Sequence, residues 1–293
     1  MQQLIRLPLQ LALAVVLTVA AAAAGNAQLV EVEPDVVYGH KDGMALTFDV
    51  IRPTANPNGA AVLYMVSGGW FSRYAPPQET ATRFEGLLQK GFTLFVVRHG
   101  SSPKFFIPEI VGDVRRAVRY IRHNADRWDV DPDRLGAFGG SAGGHLALML
   151  GNASDGGDPN AEEVFMRESS RIASVVAYYP PVDLRQLARG ADASMDTRFP
   201  ALNFDRAVAA DFSPIVHVTA DDPPTLLIHG DADELVDVSN SHIIHDAFQQ
   251  RGVRTDVIII PGAAHGFRDD DATRASAAMV EWFERTLDAD ASN

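Results

Sequence analysis

The sequence predicts an α/β fold: a mostly parallel central sheet flanked by helices on both faces. Two observations predict it. Apolar runs of strand length alternate with segments whose apolar residues recur at helical spacing, and runs such as Ala60–Val66 are continuously apolar, as strands buried on both faces must be. The 293 residues show no internal period and are 46% hydrophobic and 22% charged, which fits a globular chain able to bury a large core and excludes a disordered one. With no cysteine, disulfides, thiolate nucleophiles and cysteine metal sites are excluded.

The elements follow in order. Val30–Tyr38 and Met44–Ile51 read as strands joined by a turn at His40-Lys41-Asp42-Gly43. Ala60–Val66 and Phe92–Val97 are further strand runs. Ile107, Ile110, Val111, Val114, Ala117, Val118 and Ile121 mark one face of a helix, with arginines on the other. Leu135–Phe138, Ala173–Tyr179, Thr225–Ile228 and Asp256–Ile260 are the remaining strand candidates. Ile243, Ile244, Ala247 and Phe248 mark a helix ended by Gly252, and Ala275, Met279, Trp282, Phe283 and Leu287 mark the last helix. Asn152–Asn160 reads as an acidic surface loop. Asp183–Pro224 breaks the rhythm and is too long for a structureless loop, so it is expected to form a small cap or wrapped insertion.

The first 27 residues read as an export signal, with Arg6 as the positive region, an apolar run to Ala24 and small residues through Ala27. An uncleaved membrane anchor is the alternative, because the run approaches membrane-spanning length. On the signal reading the mature domain is residues 28–293, exported to the periplasm or secreted, with no stable membrane association after cleavage. Losing Arg6 takes the net charge from −13 to −14. Such a chain repels phosphate backbones and offers no basic stripe, so nucleic acid is not an expected partner.

Gly139-Gly140-Ser141-Ala142-Gly143-Gly144 matches G-x-S-x-G between a strand and the apolar helix that includes Leu146–Leu150. A sharp strand-to-helix turn lifts the serine oxygen clear of the sheet, and small residues on either side let the turn close. The helix N-terminus then sets its positive end near a developing oxyanion. A phosphate loop is the competing reading, but G-x-G-x-x-G is missing and His145 stands where a P-loop needs lysine.

A serine hydroxyl needs a base. His265, in Gly262-Ala263-Ala264-His265-Gly266-Phe267 between the last strand and the last helix, sits in a loop of small residues where a ring can swing over the nucleophile. His242 and His245 are three apart on a helix and read as solvent-facing, with a shared metal as the alternative. His145 reads as packing. His99 and His229 end strands and are expected to line or support the site. An acid is sought between serine and histidine in His229-Gly230-Asp231-Ala232-Asp233-Glu234-Leu235-Val236-Asp237. Asp231 suits a backbone-bonding turn and Asp237 a helix N-cap, which leaves Asp233. A calcium loop is the other reading of these acids, but their spacing is not that of an EF-hand.

With these residues placed, the chain resembles the α/β-hydrolase family, and within it small bacterial esterases related to feruloyl and acetylxylan esterases. The resemblance runs from about Tyr38 to Leu287. It rests on Ser67-Gly68-Gly69-Trp70, Gly139–Gly144, His229-Gly230-x-x-Asp233-x-x-Val236, Ala264-His265-Gly266-Phe267 and Asp221-Asp222-Pro223-Pro224. It implies Asp233 as the acid. It also implies an oxyanion hole from the amides of Gly68 and Gly69 on one side and Ala142 on the other, with Gly69 and Trp70 both open as the key donor. Many relatives carry His-Gly-Gly-Gly-Trp where this chain has Val66-Ser67-Gly68-Gly69-Trp70, so the support of that loop must differ here.

The expected chemistry is hydrolysis of a carboxylic ester through an acyl-enzyme, on a small-molecule or carbohydrate ester with a short acyl group, with no metal or organic cofactor. Two alternatives stand beside it: a peptidase of the prolyl-oligopeptidase kind, though the chain is too short for the propeller those enzymes carry, and an inactive binding protein on the same scaffold. The acidity of the chain favours neutral substrates unless an arginine such as Arg73, Arg185 or Arg198 offsets the field locally.

Overall fold

The computed structural model describes residues 30–188 and 193–288. The expected export signal lies outside the described residues.

Eight strands form one sheet: β1 (Val30–Lys41), β2 (Met44–Pro53), β3 (Ala61–Met65), β4 (Thr93–Val97), β5 (Leu135–Gly140), β6 (Ser174–Tyr178), β7 (Thr225–Gly230) and β8 (Thr255–Ile260). Their spatial order is β1-β2-β4-β3-β5-β6-β7-β8. Only β2 runs against its neighbours; β4, β3, β5, β6, β7 and β8 are parallel throughout. The β1–β2 turn is tighter than expected. β1 continues through Lys41, and Asp42 and Gly43 alone close the hairpin, both at positive φ, so the connection follows the strand twist.

The parallel strands alternate with helices α1 (Pro77–Arg83), α2 (Glu85–Gln89), α3 (Ile107–His123), α4 (Ala142–Asn152), α5 (Ala193–Arg198), α6 (Ser239–Arg251) and α7 (Asp269–Thr286). The pleat divides the core. Leu63, Met65, Ala137 and Ala177 face α3, α4 and α6, while Val62, Phe138, Val176 and Ile228 face α2 and α7. The apolar stripe of α3 is buried from Ile107 to Ile121, as its spacing predicts. α4 is buried on every side, because it lies against the centre of the sheet and beneath the 183–224 segment.

The described part of that segment, 183–188 and 193–224, is built from short 3₁₀ turns and α5, and Leu184, Ala201, Leu202 and Ala209 bury themselves against the helical layer over α4. Its lack of sequence periodicity has a physical cause: turns of three to seven residues are too short to repeat a pattern.

Strand order reverses at β3, which has β4 on one side and β5 on the other. The chain leaves the sheet in opposite directions there, and a crevice opens at the carboxyl ends of these strands.

Candidate active site

That crevice is a cleft of about 900 Å³ lined by residues that include Gly69, Ser141, Tyr179, Phe199, Leu235 and His265.

Ser141 stands between β5 and α4 with φ 55° and ψ −120°, a conformation that L side chains rarely adopt. The turn is fixed from both ends. Its N–H donates to the Tyr178 carbonyl at 2.9 Å, and its own carbonyl accepts the first helical bond from His145 at 2.9 Å. Glycines at 139 and 143 are obligatory here. A Cβ on Gly139 would lie 2.5 Å from the Gly143 carbonyl carbon, and one on Gly143 would lie 2.7 Å from the Met65 carbonyl oxygen.

His265 follows β8. Its Nε2 is 2.9 Å from Ser141 Oγ and its Nδ1 is 2.7 Å from Asp233 Oδ2. Asp233 follows β7, and its Oδ1 accepts the amides of Leu235 at 2.9 Å and Val236 at 3.0 Å. Burial pushes this carboxyl upward, but the two amides and the His265 ring outweigh it and hold the group below the usual carboxylate range. It is therefore ionised at neutral pH and fixes the Nδ1–H tautomer of His265, which turns Nε2 as an acceptor toward the serine. The loops bearing acid and base touch: Ala232 N–H donates to the Ala263 carbonyl at 3.0 Å, and a Cβ on Gly230 would collide with that carbonyl.

Two other acids in the loop have other partners, and Glu234 is exposed. Asp237 accepts from Ser239 N–H at the entrance to α6. Contrary to the sequence expectation, Asp231 does not bond its own turn; it accepts from Gly262 N–H at 2.6 Å and so ties the acid loop to the histidine loop.

The turn after β3 carries the other expected donors. The N–H of Gly68 donates to the Phe71 carbonyl at 3.0 Å, and Phe71 N–H returns the bond to Gly68. The Gly68 amide is thus consumed inside the turn and does not face an oxyanion, contrary to expectation. Gly69, at φ 58°, lines the cleft. The Ala142 amide opens α4, where helix geometry provides no intrahelical acceptor.

Two buried histidines answer how this turn is supported. His99 donates from Nδ1 to the Gly100 carbonyl and accepts the Ser67 hydroxyl at Nε2, 2.9 Å each. The Ser67 carbonyl accepts Gly143 N–H at 3.1 Å, which joins the turn to the nucleophile helix. His145 donates from Nε2 to the Phe212 carbonyl at 2.8 Å and accepts Trp70 Nε1–H at Nδ1. Burial pushes both rings down to about 4, so both are neutral and keep these tautomers. His229 supports the acid loop. Its Nε2 donates to the Val236 carbonyl at 2.8 Å and lies 3.2 Å from Asp233 Oδ2, while Nδ1 accepts from Ser241 Oγ at 2.7 Å.

Tyr179 was not singled out by the sequence. It sits at φ 37° beyond the end of β6, with its ring centroid 4.7 Å from that of His265 and 5.1 Å from that of Phe267. The available signal was its place at the carboxyl end of a strand between the serine and aspartate strands. His242 is exposed on α6, while His245 Nδ1 lies 3.2 Å from Thr255 Oγ1. Of the three arginines weighed for the local field, Arg73 and Arg198 line the cleft, whereas Arg185 pairs with Asp183 at 2.6 Å.

A family model described as BD-FAE matches residues 48–248, a span that holds the serine, the aspartate and the Ser67–Trp70 turn. The chain belongs to the BD-FAE family. Among curated proteins this BD-FAE chain is similar to the probable carboxylic ester hydrolase LipM of Mycobacterium tuberculosis, at 28% identity over 85% of this chain and 60% of that protein. It is also similar to the acetylxylan esterase of Xylanibacter ruminicola, at 28% identity over 72% of this chain and 42% of that protein. The chain therefore spans about three fifths or less of the length of these relatives. Among solved structures, a truncated carbohydrate esterase from gut microbiota superposes with TM-score 0.73 at 25% identity, covering 88% of this chain and 96% of that one. The fold is that of the α/β-hydrolases. Among the described residues no helix is long and apolar enough to cross a membrane.

Proposed function

We propose that the chain hydrolyses short-acyl carboxylic esters through an acyl-enzyme on Ser141. The observation that carries the proposal is the relay Ser141 Oγ–His265–Asp233 at 2.9 and 2.7 Å. Ser141 Oγ attacks the ester carbonyl carbon as its proton passes to His265 Nε2, and Asp233 stabilises the imidazolium. The oxyanion is received by the amides of Gly69 and Ala142. Collapse breaks the ester bond, and the leaving alkoxide takes the proton from His265. Water then attacks the acyl-enzyme by the same route in reverse and releases the acid.

Acetyl to butyryl groups suit the site. The Phe199 ring presses on the Gly69 turn, and among the described residues of 183–224 the one α-helix, α5, has six residues, too few for a long amphipathic lid. An acetylated or feruloylated carbohydrate is the substrate class we favour, in keeping with the likeness to carbohydrate esterases. The test is kcat/KM across p-nitrophenyl esters from acetyl to palmitoyl, beside a prolyl anilide. We expect a maximum at short chains. A maximum at long chains would make the protein a lipase, and preference for the anilide a peptidase. Failure of a fluorophosphonate probe to label Ser141 would favour an inactive binding protein.

We further propose that residues 1–27 are an export signal, on the strength of their apolar and small-residue pattern. The intact mass of protein exported by a bacterial host should place the mature N-terminus between Gly25 and Gln28. A full-length chain in the membrane fraction would favour an anchor.

A further inference from the structure

The cleft is richer in cations than the chain as a whole. The sequence has a net charge of −13, yet among the described residues the lining holds Arg73, Arg83, Arg98 and Arg198 beside one carboxylate, Glu79. Arg98 is neutralised by Asp49 at 2.6 Å and Asp35 at 2.8 Å. Among the described residues, Arg73, Arg83 and Arg198 have no carboxylate partner.

Two of these three are held on the aromatic rings of the cleft. Arg83 reaches Tyr64 Oη at 3.4 Å, and its guanidinium lies 5.7 Å from the Tyr64 centroid and 5.1 Å from that of Phe84. Tyr64 stacks at 5.1 Å on Phe138, which leads directly into the nucleophile turn. Arg198 lies 5.2 Å from the Phe199 centroid, and the edge of that ring would be 2.8 Å from a Cβ on Gly69. One cation therefore comes from the end of α1 and the other from the end of α5, with exposed Arg73 following the Gly69 turn in sequence. A guanidinium resting on a ring keeps its in-plane N–H edges free, the geometry that meets a carboxylate in a fork.

We infer that the cleft binds esters carrying a free carboxylate beyond the scissile bond, held by Arg83 or by Arg198 and Arg73. The inference rests on the ester-hydrolase reading and narrows its substrate class to anionic esters, such as those of acidic sugars. It takes up the exception that the net charge left open, a local arginine that offsets the field of the chain.

The experiment uses two matched pairs of substrates. Para-acetoxybenzoate against its methyl ester places the carboxylate in the alcohol part, and p-nitrophenyl hydrogen glutarate against p-nitrophenyl butyrate places it in the acyl part. The ratio of kcat/KM, anionic over neutral, is measured for the wild type, Arg83→Gln, Arg198→Gln and Arg251→Gln. Arg251 is exposed at the end of α6, away from the cleft, and controls for net charge. In at least one pair the ratio should fall about tenfold in Arg83→Gln or Arg198→Gln and stay unchanged in Arg251→Gln. The wild-type ratio should also fall as salt rises from about 0.02 to 0.5 M. The inference is overturned if neither cleft variant moves the ratio in either pair, if Arg251→Gln moves it equally, or if the ratio ignores salt. If the neutral esters are not turned over at all, the ester-hydrolase reading itself has failed.

Discussion

At the scale of single residues, Ser141 concentrates the strain of the site. A non-glycine residue at φ 55° is held there by the carbonyl of Tyr178 and by the start of α4, so its hydroxyl is presented at no further conformational cost. Ser141→Ala should lower kcat by several orders of magnitude with an unchanged melting temperature, because the hydroxyl alone forms the covalent bond. Near-normal turnover in that variant would end the mechanism. Asp233→Asn should cost about 10²- to 10⁴-fold in kcat, because the amide favours the wrong imidazole tautomer. Asp237→Asn, which touches only the start of α6, should cost little. A larger loss in Asp237→Asn than in Asp233→Asn would move the acid. His265 was legible from its loop alone. Asp233 was legible chiefly through the family resemblance, because a carboxylate among four competitors is told apart by which neighbours it meets in space.

At the scale of elements, the site depends on two turns locked together. The nucleophile turn meets the β3 turn through Gly143 N–H and the Ser67 carbonyl, and Ser67 is held in place by His99. Ser67→Ala should lower kcat by about 10- to 100-fold with a smaller change in KM, since a misplaced oxyanion donor weakens the transition state more than the ground state. Equal losses in binding and turnover would argue against a positioning role. Gly143→Ala should destabilise the fold by about 2–4 kcal/mol, because the new Cβ meets backbone that cannot move aside, and urea unfolding would measure it. The role of Ser67 was hidden in the sequence. Its partner lies 32 positions away at the end of another strand, and no local pattern links them.

At the scale of the whole molecule, buried neutral histidines set the pH range of stability. His99 and His145 are pushed down to about 4 by burial, below the unfolded value of about 6.5. Between those values the unfolded chain binds protons that the folded chain does not. Their contribution is therefore complete above about pH 6.5 and is lost as pH falls toward 4, by up to about 3 kcal/mol for each ring. Urea midpoints should fall between about pH 7.5 and pH 5. A flat profile over that range would mean that the rings are charged or hydrated in the fold.

The sequence by itself determined the layers of this protein and singled out the serine and the histidine proposed as nucleophile and base. Periodicity is a local property: a strand buried on both faces must be apolar throughout, a helix must carry a stripe, and a G-x-S-x-G turn between them has few other uses. The tertiary structure alone decided that the Gly68 amide is spent inside its own turn, that His99 and His145 hold the neighbouring Ser67 and Trp70, and that arginines from separate segments converge on one cleft in an acidic chain. These depend on contacts between residues far apart in the chain. Such contacts are set by how strand order reverses at β3 and brings distant loops to the same edge of the sheet, which no window of sequence records.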